Sequence, residues 1–139
     1  MNQAIGNSNN MQQCSTKLII ESMFPKNMEQ MKSPSGLATV TGPCGDTVEF
    51  FIKIEGKRIV RACFQTSGCG VTRACGSVAT QLAEGKGLWE AFNMEPGMII
   101  SALDGVPDDH EHCATLCITA LRCALIDYVK IYGWGQLDG

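Results

Sequence analysis

The sequence predicts an α+β domain in which a three-stranded antiparallel sheet carries helices on one of its faces. Three observations lead there. Strand-like runs, rich in β-branched and aromatic residues, are confined to the stretch from Leu37 to Thr66. Short turns join those runs, as in an antiparallel meander. Apolar residues at helical spacing fill the second half of the chain, and such helices must cover a face of the sheet that precedes them. The 139 residues are 45% hydrophobic, which suits one domain with its own core.

Residues 1–15 are polar, rich in Asn and Gln, and read as a disordered tail. The domain is expected over 16–133, with a second short tail at 134–139. Ser15 or Thr16 can cap a short helix carrying Leu18, Ile19, Ile20, Met23 and Phe24, which Pro25 ends. A polar loop from Lys26 to Gly36 leads to a first strand, Leu37 to Thr41. In the next run Val48, Phe50, Ile52 and Ile54 alternate with Glu49, Phe51, Lys53 and Glu55, the period of a half-buried strand. Gly56-Lys57 then turns the chain back into a third strand, Arg58 to Thr66. A helix begins near Cys69 and closes at Gly85. Leu88, Trp89 and Phe92 mark a short helix, with Trp89 and Phe92 expected to anchor it to the core. Pro96 opens another that carries Met98, Ile99, Ile100 and Leu103. The last helix presents Leu116, Ala120, Leu121, Ala124, Leu125, Tyr128 and Val129 on one broad face and ends by Gly133.

Composition removes several classes of function. The net charge is −3, and the eleven Lys and Arg residues are scattered singly, so nucleic acid finds no basic stripe to follow. The longest apolar run, Ala114 to Ile126, is interrupted by Arg122 and too short to span a bilayer. The N-terminus reads as neither a signal nor a transit peptide, so a cytoplasmic location is expected. Eight cysteines in a reducing compartment point to metal or sulfur chemistry rather than to disulfides. No C-x-x-C pair occurs, so any site must be gathered by the fold.

Cys69 stands where the strand pattern gives way to the helix pattern. Gly68 and Gly70 beside it let the backbone turn and leave the sulfur uncovered. At a helix N-terminus its thiolate is favoured over its thiol, and Arg73 is expected to assist. Cys44, in Gly-Pro-Cys-Gly-Asp, and Cys113, opening the last helix after His112, share this placement at the edge of an element. Asp46 and His112 add an oxygen and a nitrogen donor. Three thiolates, a carboxylate and an imidazole suit iron–sulfur or zinc ligation around one solvent-accessible pocket. For Asp46 the plainer reading is a turn residue, for His112 a helix-capping one. Cys63, Cys117 and Cys123 fall in apolar settings and read as core, with Cys117 a spare ligand one turn beyond Cys113. Cys14 reads as incidental.

In these motifs the chain resembles the U-type iron–sulfur cluster assembly scaffolds, the IscU proteins and the N-terminal domain of NifU. The matching stretches are Phe-Pro-Lys-Asn (24–27), Gly-Pro-Cys-Gly-Asp (42–46), Gly-Cys-Gly (68–70), Gly-Lys-Gly-Leu (85–88) and His112-Cys113. The resemblance implies the same sheet-and-helix fold and a scaffold rather than an enzyme. It maps Cys44, Asp46, Cys69, His112 and Cys113 onto the residues that hold a [2Fe-2S] cluster, or iron, or zinc when the cluster is absent. It also implies a cysteine desulfurase as sulfur donor, an electron donor such as ferredoxin, apo iron–sulfur proteins as acceptors, and a homodimer as one form in which a cluster could be shared. Cys113 is the persulfide acceptor by resemblance, whereas the helix-end argument favours Cys69. Three features depart from the pattern. Cys75 stands where a small Ser or Ala is common and could accept sulfur. Val106-Pro-Asp-Asp-His110 replaces the Leu-Pro-Pro-Val-Lys read by a dedicated chaperone. His110 takes a lysine's place, on the opposite side from His112 if the chain is extended. The competing expectation is a zinc-bound, SufU-like sulfur-transfer protein, a branch that usually lacks the histidine.

Overall fold

A computed structural model describes residues 14–137. The expected N-terminal tail therefore lies mostly outside the described residues. Helix α1 spans Thr16–Met23 and is capped by Ser15, whose hydroxyl accepts from the Leu18 N–H at 2.9 Å. The same hydroxyl donates to the Leu103 carbonyl, tying the helix start to a residue 88 positions further along the chain. Strands β1 (Gly36–Thr41), β2 (Thr47–Glu55) and β3 (Arg58–Thr66) form one antiparallel sheet in the order β1-β2-β3. The register pairs Val40 with Val48 and Phe50 with Phe64, and a bulge lies between Lys53 and Ile54. Helices α2 (Gly70–Ala83), α3 (Leu88–Phe92), α4 (Pro96–Ala102) and α5 (Glu111–Tyr132) follow. A 3₁₀ turn, Asp108–His110, leads into α5, and another, Trp134–Leu137, packs against its end.

The alternation in β2 and β3 aims Val48, Phe50, Ile52, Ala62 and Phe64 at the helices, and all five are fully buried. They join Ala74, Cys75 and Ala79 of α2 and Leu121, Ala124 and Leu125 of α5 in one core. Gly36 permits the closest approach of sheet and helix: a Cβ there would stand 2.3 Å from the Ala124 carbonyl oxygen. Two expectations are corrected. Phe51, grouped with the outward set, is only 5% exposed, because the loop before β1 lays Met31 over it and Cys63 on the far face of the sheet. Trp89 does not anchor α3: it is 55% exposed and stacks on Phe92, while Leu88 and Ala91 do the packing. Among the described residues no helix is long and apolar enough to cross a membrane.

Candidate metal and sulfur site

Three element ends meet at one end of the sheet. Cys44 tops the turn between β1 and β2, which Gly42 closes by donating its N–H to the Asp46 carbonyl at 2.8 Å. Gly45 follows with φ +88°, a conformation that costs glycine little and a side-chain-bearing residue more. Cys44 is left exposed at the tip. Cys69 is the N-cap of α2, also exposed, and its side chain makes no cap hydrogen bond of the usual oxygen type. His112 and Cys113 lie in the first turn of α5, brought down by the 3₁₀ turn before it.

The side chains form one continuous path. Cys44 Sγ lies 3.1 Å from His112 Nε2, and the same nitrogen lies 3.8 Å from Cys113 Sγ. The Thr72 hydroxyl donates to Cys113 Sγ at 3.2 Å and stands 3.8 Å from Cys69 Sγ. Asp46 is half-buried and close enough to oppose ionisation of Cys113. Thr72, fully buried, was not among the residues singled out from the sequence. Its signal is positional: three residues after an N-cap, a side chain faces back over the cap.

The two thiols that share Thr72 differ in readiness. Burial alone would raise the Cys69 thiol, but the N–H groups of Thr72 and Val71 and the Thr72 hydroxyl outweigh it and hold the thiol below its ordinary value. Arg73, expected to contribute, instead donates its Nε to the Ser22 carbonyl of α1 at 3.2 Å. Cys113 goes the other way. Burial pushes it up to about 11 against the help of Thr72, with the neighbouring Cys69 adding to the rise.

This corrects the picture of three sulfurs around a single open pocket. Cys113 is 1% exposed, walled in where α5 packs on α2 and Thr72 covers its sulfur. The open space is divided. Cys69 faces a cavity of about 310 Å³ against α1, whereas His112 faces another of about 280 Å³ between β1 and α5. Among the described residues no three His, Cys, Asp or Glu side chains already stand as a metal cage. The donor chemistry fits iron–sulfur or zinc ligation, and the geometry is one of adjacent donors rather than a closed cage.

A sequence profile for the NifU-like N terminal domain matches residues 15–133. This chain belongs to the NifU-like N-terminal domain family. An iron–sulfur cluster assembly scaffold protein IscU of Archaeoglobus fulgidus is 37% identical over 110 residues, covering 78% of this chain and 72% of that relative. An IscU of Aquifex aeolicus is 31% identical over 120 residues, covering 84% and 76%. The crystal structure of a NifU-like N-terminal protein from Brucella abortus superposes with a TM-score of 0.68 at 14% identity, over 89% of this chain and 97% of that one. That likeness speaks for the shared fold.

The remaining cysteines of this NifU-like domain sort by burial. Cys75 is fully buried in the core and its thiol is driven strongly upward by desolvation, so it is no sulfur acceptor in this conformation. Cys117 is fully buried too, its thiol raised by burial, with its sulfur 3.9 Å from the Thr72 carbonyl. Cys63 lies beneath Met31 and is raised likewise. Cys123 is half-buried. His110 is not on the opposite side from His112: the 3₁₀ turn stacks the two rings with centroids 6.2 Å apart, and Asp109 holds His110 Nδ1 at 2.8 Å. Cys14 is not simply incidental, since it lines the 310 Å³ cavity together with Cys69 and His110.

Proposed function

We propose that this protein is a scaffold on which a [2Fe-2S] cluster is assembled from iron and desulfurase-derived sulfur and from which it passes to apo-proteins. One observation carries the reading: the unbroken path Cys44–His112–Cys113–Thr72–Cys69, which brings together donors up to 69 positions apart in the chain at one end of the sheet. The naming of relatives as IscU scaffold proteins supports it. Iron, sulfide and the cluster are cargo. Cys44, Cys69 and Cys113 would hold it by soft thiolate ligation, with Asp46 and His112 as harder donors.

Cys69 is the thiol best placed to receive sulfur, because it is exposed and held toward its thiolate. Thiolate attack on the desulfurase persulfide transfers the outer sulfur and leaves the enzyme's cysteine as the leaving thiolate. A ferredoxin-type donor would supply electrons for the cluster. Cys113 becomes a ligand only when α5 or Thr72 yields enough to uncover it. Asp46 in place of a fourth thiolate makes the bound cluster easier to release.

Anaerobic reconstitution with iron, cysteine and a cysteine desulfurase should yield a coloured protein that hands its cluster to an apo-ferredoxin. In Asp46→Cys, which supplies the fourth soft thiolate, that transfer should slow severalfold while the cluster is retained longer. A cluster that never transfers contradicts the reading. A stoichiometric zinc ion that persists through reconstitution, with persulfide passing across the site, would favour the zinc-bound sulfur-transfer function instead.

A further inference from the structure

The cavity beside Cys69 contains a second thiol. Cys14 immediately precedes the N-cap of α1, and Cys69 is the N-cap of α2. The two cysteines, 55 positions apart in the chain, line one cavity of about 310 Å³ together with Leu18, Val71 and His110. Contacts on both helices hold the walls of this cavity. The Ser15 hydroxyl bonds the Leu103 carbonyl, Arg73 of α2 grips the Ser22 carbonyl of α1, and a Cβ on Gly70 would meet the Ser22 side chain at 3.3 Å. Cys14 itself is half-buried, packs on the core and forms part of the cavity wall. Every other cysteine outside the cluster path is in the core, beneath Met31 or on α5, and none of them lines this cavity.

We infer that Cys14 is a resolving thiol that releases sulfide from a persulfide on Cys69. The inference rests on the proposal that Cys69 receives sulfane sulfur. Cys14 Sγ attacks the inner sulfur of the Cys69 persulfide, the sulfur–sulfur bond of the persulfide breaks, and the outer sulfur departs as hydrosulfide with the proton from the Cys14 thiol. A Cys14–Cys69 disulfide is left behind. The sulfane sulfur gains two electrons, and the two cysteine sulfurs each lose one. A dithiol reductant of the thioredoxin class then restores both thiols. Sulfide is the oxidation state a cluster needs, so the device supplies it at the site itself. The cavity suits the step, being apolar along α1 and large enough for the small side chain of Cys14 to swing toward Cys69.

The test uses the full chain, loaded by a cysteine desulfurase and free cysteine, then desalted without any thiol reductant. Sulfide is trapped with monobromobimane, and non-reducing mass spectrometry identifies persulfide and disulfide sites. The wild type should release one hydrosulfide for each Cys69 persulfide lost and accumulate a Cys14–Cys69 disulfide. In Cys14→Ser the persulfide should persist and sulfide release fall by about tenfold or more, whereas Cys123→Ser should behave as wild type. Equal sulfide release from wild type and Cys14→Ser, or a disulfide joining Cys69 to another cysteine, overturns this inference and leaves the sulfur-receiving role of Cys69 standing. Absence of any persulfide on Cys69 overturns both.

Discussion

At the scale of single residues, the site is governed by how two cysteines on either side of one hydroxyl are treated. Cys69 is offered helix N–H groups, and Cys113 is shut in, so the same chemical group is prepared for attack in one place and held neutral in the other. Iodoacetamide at neutral pH should label Cys69 well before Cys113, a contrast that peptide mass spectrometry reads directly. Thr72→Val, which keeps the shape and removes the hydroxyl, should move the midpoint of Cys69 labelling to higher pH, at a stability cost of about 1 kcal/mol. Cys113 also makes stability depend on pH. Its thiol ionises at about 11 when folded against an ordinary 9.0, so the unfolded chain loses its proton first. That contribution is complete below pH 9 and disappears as the pH climbs toward about 11. Cys75 and Cys117, raised in the same direction by burial, add to it. Urea midpoints should fall above pH 9, and Cys113→Ala should flatten that fall.

At the scale of elements, the site depends on how closely β1 can approach α5, because β1 leads into Cys44 and α5 carries His112. Gly36→Ala drives a Cβ against the Ala124 carbonyl, which is backbone and cannot swing aside, and crowds the Ile52 side chain at 3.2 Å. It should cost about 1–3 kcal/mol, and a melting curve together with weaker iron binding would show the helix pushed off the sheet. Gly97→Ala, in α4 with nothing within 4 Å of the new Cβ, should instead leave stability unchanged or raise it by up to about 1 kcal/mol. The elements themselves were readable in the sequence, because alternation in β2, the Gly56-Lys57 turn, Ser15 and Pro96 are local signals that the tertiary structure did not override. Phe51 was not readable: its cover is Met31, from a loop whose sequence has no period to interpret. The placement of Cys44, Cys69 and Cys113 at element ends was legible too. Thr72 and the burial of Cys113 were not, since both arise where two helices pack, which spacing along one helix does not reveal.

At the scale of the whole molecule, the fold gathers its donors at one end of the sheet, with Cys44 and Cys69 exposed and Cys113 covered, and keeps the surplus thiols Cys63, Cys75 and Cys117 buried. That division explains how eight cysteines coexist with a site of three: hydrophobic packing keeps Cys75 and Cys117 protonated and out of reach. The donors are adjacent without forming a closed cage, which suits a load that is built in place and given away. The most direct measurement is iron and acid-labile sulfide bound per chain after anaerobic reconstitution, in the wild type and in Cys44→Ser, Cys69→Ser and Cys113→Ser. The account predicts a stoichiometric iron–sulfur chromophore in the wild type and its loss or marked weakening in each variant. Equal iron and sulfide in all four proteins would contradict it.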